Sequence, residues 1–296
     1  MIDPSSMRLW LPHVERLGIP SPRTILVVEP EPGFLDRLLL AAIDAVEGGG
    51  EPLDARAAEF VGDVTKAVDG VGYPAFLRTD LCSGKHQWRD TCFVAAPGHV
   101  YSHVLALIEF GMNADMLGLQ HTAIAARQYL YLDAPFAAYR GLPIAAERRY
   151  FVREGRVLCH HPYWEREAVA AGYPWCAEWE RHLERLNREE DDEVATLTGF
   201  AAAVGGALGG FWSIDFARDA GGKWWLIDMA VGGESWHPRG PCPEVTVCAI
   251  CSGVIDEEYP SRHAGCAAAG RRPKAAAADD ADDDADDDAD DTEPRK

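Results

Sequence analysis

The sequence is short of positive charge. Its 296 residues include 28 lysines and arginines against 48 aspartates and glutamates, which gives a formal net charge of −20. Nucleic-acid binding depends on basic surface that neutralises phosphate groups. The charge balance therefore argues against a protein whose main role is to bind DNA or RNA.

Long apolar runs, an apolar signal core and a dense set of cysteines are also lacking. No stretch approaches the roughly eighteen apolar residues that a membrane span needs, and residues 1–18 contain early acids and prolines. Eight cysteines in a chain of this size are too few for a disulfide framework. A hydrophobic content of 47% with nine tryptophans is ample for a packed core. We therefore expect a soluble cytoplasmic protein without a membrane partner.

Acidic residues are concentrated at the carboxyl end. Residues 271–296 contain eleven acids and five bases, a net charge of −6, so −14 belongs to the rest of the chain. An aspartate-rich repeat with only alanine between its charges repels itself and has little apolar surface to bury, so we expect this tail to be disordered. We interpret this segment in one of two ways. It is either a solubilising tail, or a segment that acts as a decoy for a basic partner or keeps nucleic acid away from the protein.

The hydrophobic patterning predicts an α+β protein. Strands are predicted over residues 24–29, 75–79, 91–95, 123–132, 145–152, 156–160, 211–218 and 223–230, and helices over 33–46, 54–68, 101–110, 175–190 and 194–208. In the first two helices the residues expected to face inward are Leu35, Leu38, Leu39, Ala42, Ile43, Ala57, Ala58, Val61, Val64 and Val68. Four regions are expected: an α/β lead-in (1–70), a main body (71–240), a cysteine-rich appendage (241–270) and the tail (271–296).

A small-residue loop between two predicted strands carries basic residues. Arg78 lies near the end of one strand, and Ser83-Gly84-Lys85 follows in the turn. Small residues let the backbone approach a polyphosphate, while guanidinium and ammonium groups supply positive charge to it. The spacing is not that of a Walker A motif, because His86 stands where serine or threonine is required. The alternative interpretation is an ordinary solvated loop.

The strand that begins Glu147-Arg148-Arg149 alternates in character. A period of two places Glu147, Arg149 and Phe151 on one face, with Arg148 and Tyr150 on the other. A carboxylate and a guanidinium on an inward face are typical of a polar binding cleft. An exposed cross-strand ion pair is the alternative.

Two aspartates interrupt the strongly apolar strands of a predicted hairpin, Asp215 in FWSIDFA and Asp228 in WWLIDMA. An unpaired carboxylate in that setting is costly, so each needs a cation or several donors. Two hard oxygen ligands side by side suit Mg²⁺, which keeps water and substrate phosphates in its other positions. We favour this interpretation over a pair of aspartates at strand ends.

A cysteine and histidine pattern follows the hairpin. Cys248-x-x-Cys251 and His263-x-x-Cys266 are separated by eleven residues. Two pairs with this internal spacing supply the four sulfur and imidazole ligands that tetrahedral zinc prefers, so a structural zinc site is predicted. Reduced cysteines without metal are the alternative. Cys242 is a spare thiol nearby, and Cys82, Cys92, Cys159 and Cys176 are interpreted as ordinary strand and helix cysteines.

The order and character of these features, from about residue 73 to 238, resemble the ATP-grasp superfamily. Within it, the chain resembles the clade with an arginine/lysine signature, which has an arginine in the first strand and an E-x-R strand. That clade includes predicted peptide ligases and the eukaryotic assembly factor for translation initiation factor 2. The resemblance implies two α+β subdomains that grip ATP, here with the zinc appendage and the acidic tail added.

The resemblance also implies roles for particular residues. Arg78, Lys85 and Arg149 would be catalytic, and Asp215 and Asp228 would hold Mg²⁺. The nucleotide would be bound by Arg78, Lys85, Arg127, Gln128, Tyr129, Leu130, Glu147 and Arg149. The family commonly ends acid-x-Asn, whereas this chain reads Asp228-Met229-Ala230. A second metal ion would therefore need Glu234 or a water molecule in place of the asparagine.

The implied activity is that of an ATP- and Mg²⁺-dependent carboxylate–amine ligase that works through an acylphosphate. Its acid and amine substrates are unidentified, and either could be a protein. The alternative is a non-catalytic ATP-binding assembly factor for a protein partner. Residues 160–164 (HHPYW) follow the E-x-R strand and are interpreted either as lining the acceptor pocket or as an aromatic strand end.

Overall fold

The structure is a computed structural model that describes residues 2–46, 55–115, 121–238, 242, 244–248 and 252–255. In chain order its helices are α1 (Met7–Arg16), α2 (Phe34–Val46), α3 (Ala55–Val71), α4 (Val100–Asp115), α5 (Arg166–Ala171), α6 (Trp179–Leu186) and α7 (Asp191–Leu208). Its strands are β1 (Thr24–Val28), β2 (Ala75–Thr79), β3 (Phe93–Val94), β4 (Ala123–Gln128), β5 (Phe136–Ala138), β6 (Leu142–Ile144), β7 (Glu147–Arg153), β8 (Arg156–Pro162), β9 (Phe211–Arg218) and β10 (Trp224–Val231).

The first sheet has the spatial order β1-β4-β2-β3 and is antiparallel throughout. Helices α2, α3 and α4 pack together on it, so that Leu77 and Ile124 are fully buried against aliphatic side chains of the helices. Burial of a side chain of this size contributes about 1.5–3 kcal/mol. Because side chains alternate along a strand, Arg78 and Arg127 are directed to the opposite face of this sheet.

The second sheet has the spatial order β10-β9-β7-β8 and is also antiparallel. Helix α7 packs on β7, β8 and β9, and α1 packs on α7. Helix α7 lies so close to β7 that only glycine fits at position 205 without a shift of its neighbours. A Cβ atom built on Gly205 would lie 2.5 Å from the Val152 side chain. The core beneath these helices includes Trp10, Tyr150 and Ile214. The opposite face of the sheet is therefore free to carry Glu147, Arg149 and Asp215.

Contacts between the two sheets fix their relative placement. Ala125 of β4 packs in the same core as α1 and the second sheet. At the start of α1, Ser6 caps the helix and also donates to the Asp80 carboxylate at 2.6 Å. The same carboxylate accepts backbone hydrogen bonds from Thr122 and Ala123. These contacts hold the two polar sheet faces on either side of one cleft.

A third cluster closes one end of that cleft. The β5–β6 hairpin and helices α5 and α6 pack around Trp88 and Trp164, both of which are buried. The described residues after β10 return along the second sheet, where Val245 and Val254 pack against Phe151 and Phe211. None of the helices in the described part of the chain has the length and hydropathy that a bilayer crossing requires.

The strands and helices follow the sequence predictions with some corrections. Helices α1 and α5 and the β5–β6 hairpin were not predicted, and β4 ends at Gln128 rather than at residue 132. Ile43 was expected to face inward but is 43% exposed, and Ala58 is exposed as well. Both prediction errors come from assigning too wide an apolar face to a helix. The boundaries of the four predicted regions stay predictions, and the acidic tail (271–296) lies outside the described residues.

Candidate functional site

A cleft of about 350 Å³ lies between the polar faces of the two sheets. Its charged lining residues are Arg78, Lys85, Arg127, Glu147, Arg149, Asp215 and Asp228. Its apolar and aromatic lining residues include Pro22, Phe76, Trp88, Phe110, Tyr129, Leu130, Leu132, Leu142, Pro143 and Ile227. The cleft therefore offers an apolar surface for a flat ring together with a concentration of charge.

Three charged residues form a row across the second sheet. In register, Asp228 of β10 lies opposite Asp215 of β9, and Asp215 lies opposite Arg149 of β7. The pairing of β10 with β9 shifts between Leu226 and Asp228, at Ile227. Such a bulge locally re-aims side chains, and both Ile227 and Asp228 line the cleft.

Arg149 is held by Asp215 in a two-pronged ion pair. Its Nε and Nη2 atoms each donate to a different oxygen of the Asp215 carboxylate, both at 2.7 Å. Burial alone would lower the pKa of Arg149, but the Asp215 carboxylate outweighs it and holds that pKa above the ordinary value. Bidentate pairs of this kind combine strength with a fixed geometry. Arg149 is therefore kept charged and directed along the row.

Arg78 and Arg127 present two guanidinium groups from the first sheet. Arg78 Nη1 lies 2.8 Å from Asp228 Oδ1, so this ion pair joins the two sheets across the cleft. Arg127 donates to the Thr24 hydroxyl at 3.1 Å and to the Ile227 carbonyl at 2.6 Å. Its Nη2 atom is buried without a hydrogen-bond partner among the described residues. Burial, together with the positive charge of Arg78, lowers the pKa of Arg127 to about 9.

Lys85 enters the cleft from the loop after β2. Gly84, immediately before it, has φ +60°, a left-handed conformation that favours glycine, and its carbonyl accepts a hydrogen bond from the Thr91 hydroxyl at 2.7 Å. Lys85 Nζ lies 3.7 Å from Glu147 Oε2 and 4.0 Å from the ring centroid of Tyr163. Burial would lower the pKa of Lys85, but Tyr163 and Glu147 outweigh it and raise that pKa.

Glu147 is a buried carboxyl group in the same cleft. Only 4% of the residue is exposed, and Oε2 has no hydrogen-bond partner among the described residues. Burial raises the pKa of Glu147, and the nearby charge of Lys85 opposes that rise. A buried oxygen without a donor indicates that a polar ligand or ordered water completes its surroundings.

The segment Gln128-Tyr129-Leu130 leaves the end of β4 beside the apolar lining of the cleft. The Tyr129 ring packs edge-on against Phe93 with centroids 5.4 Å apart. The Gln128 backbone N–H donates to the Arg23 carbonyl. This part of the cleft therefore combines aromatic surface with a backbone segment.

Two further residues line the cleft: Ile227, which was not predicted as a site residue, and Tyr163, which was considered only as part of residues 160–164. The Tyr163 ring lies between two cations, with Lys85 Nζ at 4.0 Å and the Arg149 guanidinium carbon at 4.8 Å from its centroid. For residues 160–164, the structure thus places Tyr163 in the cleft. His160 instead contacts Glu189 at 2.9 Å, outside the cleft lining.

Other predicted ligands are not brought into the cleft. Glu234, considered as a substitute ligand for a second metal, accepts a hydrogen bond from Ser5 at 2.8 Å and does not line the cleft. Of the predicted zinc ligands, Cys248 is buried near the end of the described chain. Cys251, His263 and Cys266 lie outside the described residues, so that zinc site stays a prediction.

The fold is that of the ATP-grasp class. Residues 60–250 match the model of an ATP-grasp domain, family 3 of the arginine/lysine-signature clade, and the chain belongs to this family. The resemblance recognised in the sequence is therefore confirmed at the level of the family, as is an ATP-grasp fold of mixed helices and sheets. No match was found among curated proteins.

Several solved structures are similar to this chain. D-alanine–D-alanine ligase from Bacillus anthracis, complexed with ATP, is 10% identical over 77% of this chain and 54% of its own, with a TM-score of 0.42. The N5-carboxyaminoimidazole synthase from Aspergillus clavatus is 11% identical over 76% and 44%, with a TM-score of 0.43. C-terminally truncated Cdc123 from Schizosaccharomyces pombe is 12% identical over 77% and 83%, with a TM-score of 0.48. The chain spans about half the length of the first two proteins.

The chemistry of the cleft fits the nucleotide and metal that this fold class implies. Arg127 Nη2 is a buried donor without a partner among the described residues, which suits an anionic ligand. Asp215 and Asp228 offer neighbouring carboxylate oxygens, the ligand type that Mg²⁺ prefers. Both carboxylates are paired with guanidinium groups, so a metal would take them over from Arg149 and Arg78.

Proposed function

We propose that this protein is an ATP- and Mg²⁺-dependent carboxylate–amine ligase that works through an acylphosphate. The observation that carries the proposal is the pairing of two cleft aspartates with two cleft arginines, Asp228 with Arg78 and Asp215 with Arg149. Each pair joins a group suited to a metal with a group suited to a phosphate. Both kinds of group are therefore present together, where Mg²⁺ and a triphosphate would be needed.

Exchange of partners explains how these pairs could serve binding. A polyphosphate would attract the two guanidinium groups away from their aspartates. Mg²⁺ would then bind the aspartate carboxylates that the guanidinium groups have left. The four cations that line the cleft, Arg78, Lys85, Arg127 and Arg149, outnumber its three carboxylates, so the cleft favours an anionic ligand. Charge pairing within the cleft also limits the repulsion that four clustered cations would otherwise create.

Each residue has a proposed task. Arg127 would bind a phosphate through its unpartnered Nη2 atom, while Gln128, Tyr129 and Leu130 would contact the adenine ring beside the apolar lining. Glu147 would hold Lys85 in place through their 3.7 Å contact, so that the ammonium group stays directed into the cleft.

The proposed reaction has two steps. A carboxylate oxygen of the acid substrate attacks the γ-phosphorus of ATP, which breaks the bond to the bridging oxygen and releases ADP. An amine then attacks the acyl carbon, phosphate leaves, and the amine loses a proton to solvent. Bound Mg²⁺ supplies charge neutralisation on the phosphate oxygens. Lys85, Arg78 and Arg149 stabilise the negative charge of the transferring group and orient it, and no covalent enzyme intermediate is required.

Hydroxylamine trapping tests this proposal directly. Purified protein is incubated with ATP, Mg²⁺, hydroxylamine and a panel of carboxylic acids and peptides, because hydroxylamine converts an acylphosphate into a stable hydroxamate. We expect ADP release that depends on one acid and a hydroxamate of that acid in the mass spectrum. Nucleotide binding in calorimetry without any acid-dependent ADP release or hydroxamate would contradict ligase activity.

A non-catalytic ATP-binding assembly factor is the second candidate. The specific observation in its favour is Asp228-Met229-Ala230, because alanine stands where the superfamily commonly has a metal-binding asparagine and Glu234 does not line the cleft. A protein with one metal site could bind ATP without transferring its phosphate. ATP that stays intact while a protein partner is captured in stoichiometric amount would support this function over the ligase.

A further inference from the structure

Two cysteines and one histidine converge at the edge of the second sheet, away from the cleft. Cys159 lies on the edge strand β8, whereas His237 and Cys242 belong to the segment that follows β10. Ligand atoms of the three residues all lie within 4.8 Å of one another. Cys159 Sγ and His237 Nε2 are 3.3 Å apart. None of the three lines the cleft.

The imidazole of His237 is oriented as a ligand. Its Nδ1 atom lies 2.6 Å from the Pro238 carbonyl oxygen. Since a carbonyl oxygen only accepts hydrogen bonds, Nδ1 carries the hydrogen and Nε2 carries the lone pair. Nε2 is the nitrogen that faces Cys159. Metal-binding histidines usually donate their second ring N–H to a backbone carbonyl or carboxylate in this way.

We propose that Cys159, His237 and Cys242 bind a zinc ion. Tetrahedral zinc, with Zn–S bonds of about 2.3 Å and Zn–N bonds of about 2.0 Å, places its ligand atoms roughly 3.5–3.8 Å apart. The observed cluster has nearly this size. Two sulfurs and one imidazole nitrogen favour zinc over Mg²⁺ or Ca²⁺, which prefer oxygen. On binding, both thiols release their protons to solvent, and a water molecule completes the fourth position.

The site would fasten the segment after β10 to the second sheet. Within the described chain, that segment pairs with itself through the isolated bridges Trp236–Gly253 and Val247–Val254, so a metal would add a strong link to β8. The metal site would also be linked to the cleft through the residue before His237. The Trp236 carbonyl, one residue before His237, accepts a hydrogen bond from Arg149 Nη1 at 3.3 Å.

This ligand set is distinct from the one predicted from sequence spacing. That set consists of Cys248, Cys251, His263 and Cys266, and it shares no residue with the cluster. The proposal does not depend on the proposed ligase activity either, because metal content and stability are measured without substrate.

Metal analysis of the full-length protein tests the proposal. Wild type and single variants Cys159→Ser, His237→Asn and Cys242→Ser are purified under reducing conditions, and zinc is measured per chain. We expect each variant to lose about one equivalent of zinc relative to wild type. Cys176→Ser, which removes a half-buried cysteine elsewhere in the fold, should keep the wild-type content. The triple variant Cys251→Ser/His263→Asn/Cys266→Ser should keep the zinc of the cluster.

Cobalt substitution provides a spectroscopic readout in protein whose three cluster residues are intact. The metal-free triple variant titrated with Co²⁺ should develop sulfur-to-metal charge-transfer absorption of the intensity given by two thiolates. A chelator should lower the melting temperature of wild type and of Cys176→Ser. Unchanged zinc in all three cluster variants, or absence of cobalt–thiolate absorption in the triple variant, would overturn the proposal. So would a Cys159–Cys242 disulfide in the protein purified with reductant.

Discussion

Arg149 and Asp215 face each other across β7 and β9 and are joined by two hydrogen bonds of 2.7 Å. The next residue in the row, Asp228, is paired with Arg78 from the other sheet at 2.8 Å. The carboxylates proposed for the metal are thus neutralised by the guanidinium groups proposed for the phosphates. Binding of metal and of nucleotide should therefore be coupled, because each ligand releases a group that the other one needs.

Asp228→Asn should remove this coupling. Without its carboxylate, residue 228 is a poor Mg²⁺ ligand, and Arg78 is left with a neutral neighbour. We expect the affinity for ATP in the presence of Mg²⁺ to fall at least about tenfold, equivalent to about 1.4 kcal/mol, and acid-dependent ADP release to be lost. Calorimetry with and without Mg²⁺ measures the coupling.

The matched control is Asp133→Asn. Asp133 also pairs with an arginine, Arg218, at 3.2 Å, but it is an exposed residue outside the cleft lining. Its replacement should leave nucleotide affinity unchanged. If Asp228→Asn kept the wild-type dependence of ATP affinity on Mg²⁺, residue 228 would have no part in metal binding.

Two adjacent arginines of β7 should respond differently to replacement by methionine. Arg148 is directed away from the cleft, is almost fully buried, and donates to Glu193 at 2.5 Å and to the Leu186 carbonyl at 3.0 Å. Arg148→Met leaves the Glu193 carboxylate buried and unpaired, which costs about 3–5 kcal/mol of unfolding free energy. Denaturant titration measures this loss, and the folded variant should bind nucleotide like wild type.

Arg149→Met should instead act mainly on binding. It removes a cation of the cleft and leaves Asp215 partly accessible to solvent or metal, so nucleotide affinity should fall while stability falls less than in Arg148→Met. Equal effects of the two substitutions on both stability and affinity would contradict the assignment of the two strand faces.

Much of this arrangement could be predicted from the sequence because it depends on local periodicity. Alternation along β7 separates Arg148 from Arg149, and the turn between β9 and β10 brings the strand segments that carry Asp215 and Asp228 side by side. Both features follow from residues near one another in the chain. Neither needs knowledge of the tertiary fold.

The remaining features depend on contacts that periodicity does not encode. The shift at Ile227 is a property of two paired strands, and no residue type in WWLIDMA marks it. Tyr163 reaches the cleft because β8 lies beside β7. Cys159 and Cys242 meet only because the chain returns along the second sheet after β10, so their separation in sequence hides the cluster.

Arg127→Met should lower affinity without lowering stability. Arg127 is 3% exposed, and its Nη2 atom has no partner among the described residues. A buried guanidinium that lacks full pairing costs free energy in the absence of ligand, so an apolar side chain of similar length should leave the unfolding free energy unchanged or raise it. ATP binding should weaken by at least about tenfold, equivalent to about 1.4 kcal/mol.

Thermal unfolding with and without Mg²⁺–ATP tests both parts together. The variant should melt at or above the wild-type temperature without ligand, and ligand should raise its melting temperature less than that of wild type. A clear loss of stability in the unliganded variant would show that Arg127 is a structural residue with satisfied contacts.

His103 should give the folded protein a dependence on pH. Its Nδ1 atom lies 2.7 Å from the Thr91 carbonyl, and Thr91 in turn holds the loop that carries Lys85. Burial lowers the pKa of His103 below the ordinary value of 6.5. The unfolded chain then binds the proton more readily than the folded one, so the stability from neutral His103 is complete above pH 6.5 and is lost as the pH falls through the lower folded value.

Substitution of His103 by glutamine tests this dependence, because His103→Gln keeps a donor for the Thr91 carbonyl but cannot titrate. Its unfolding free energy should decline less than that of wild type between about pH 7.5 and 5. The control variant is His13→Gln on α1, which also removes one imidazole from the chain. Parallel curves for wild type and His103→Gln would show that protonation of this residue is not linked to folding.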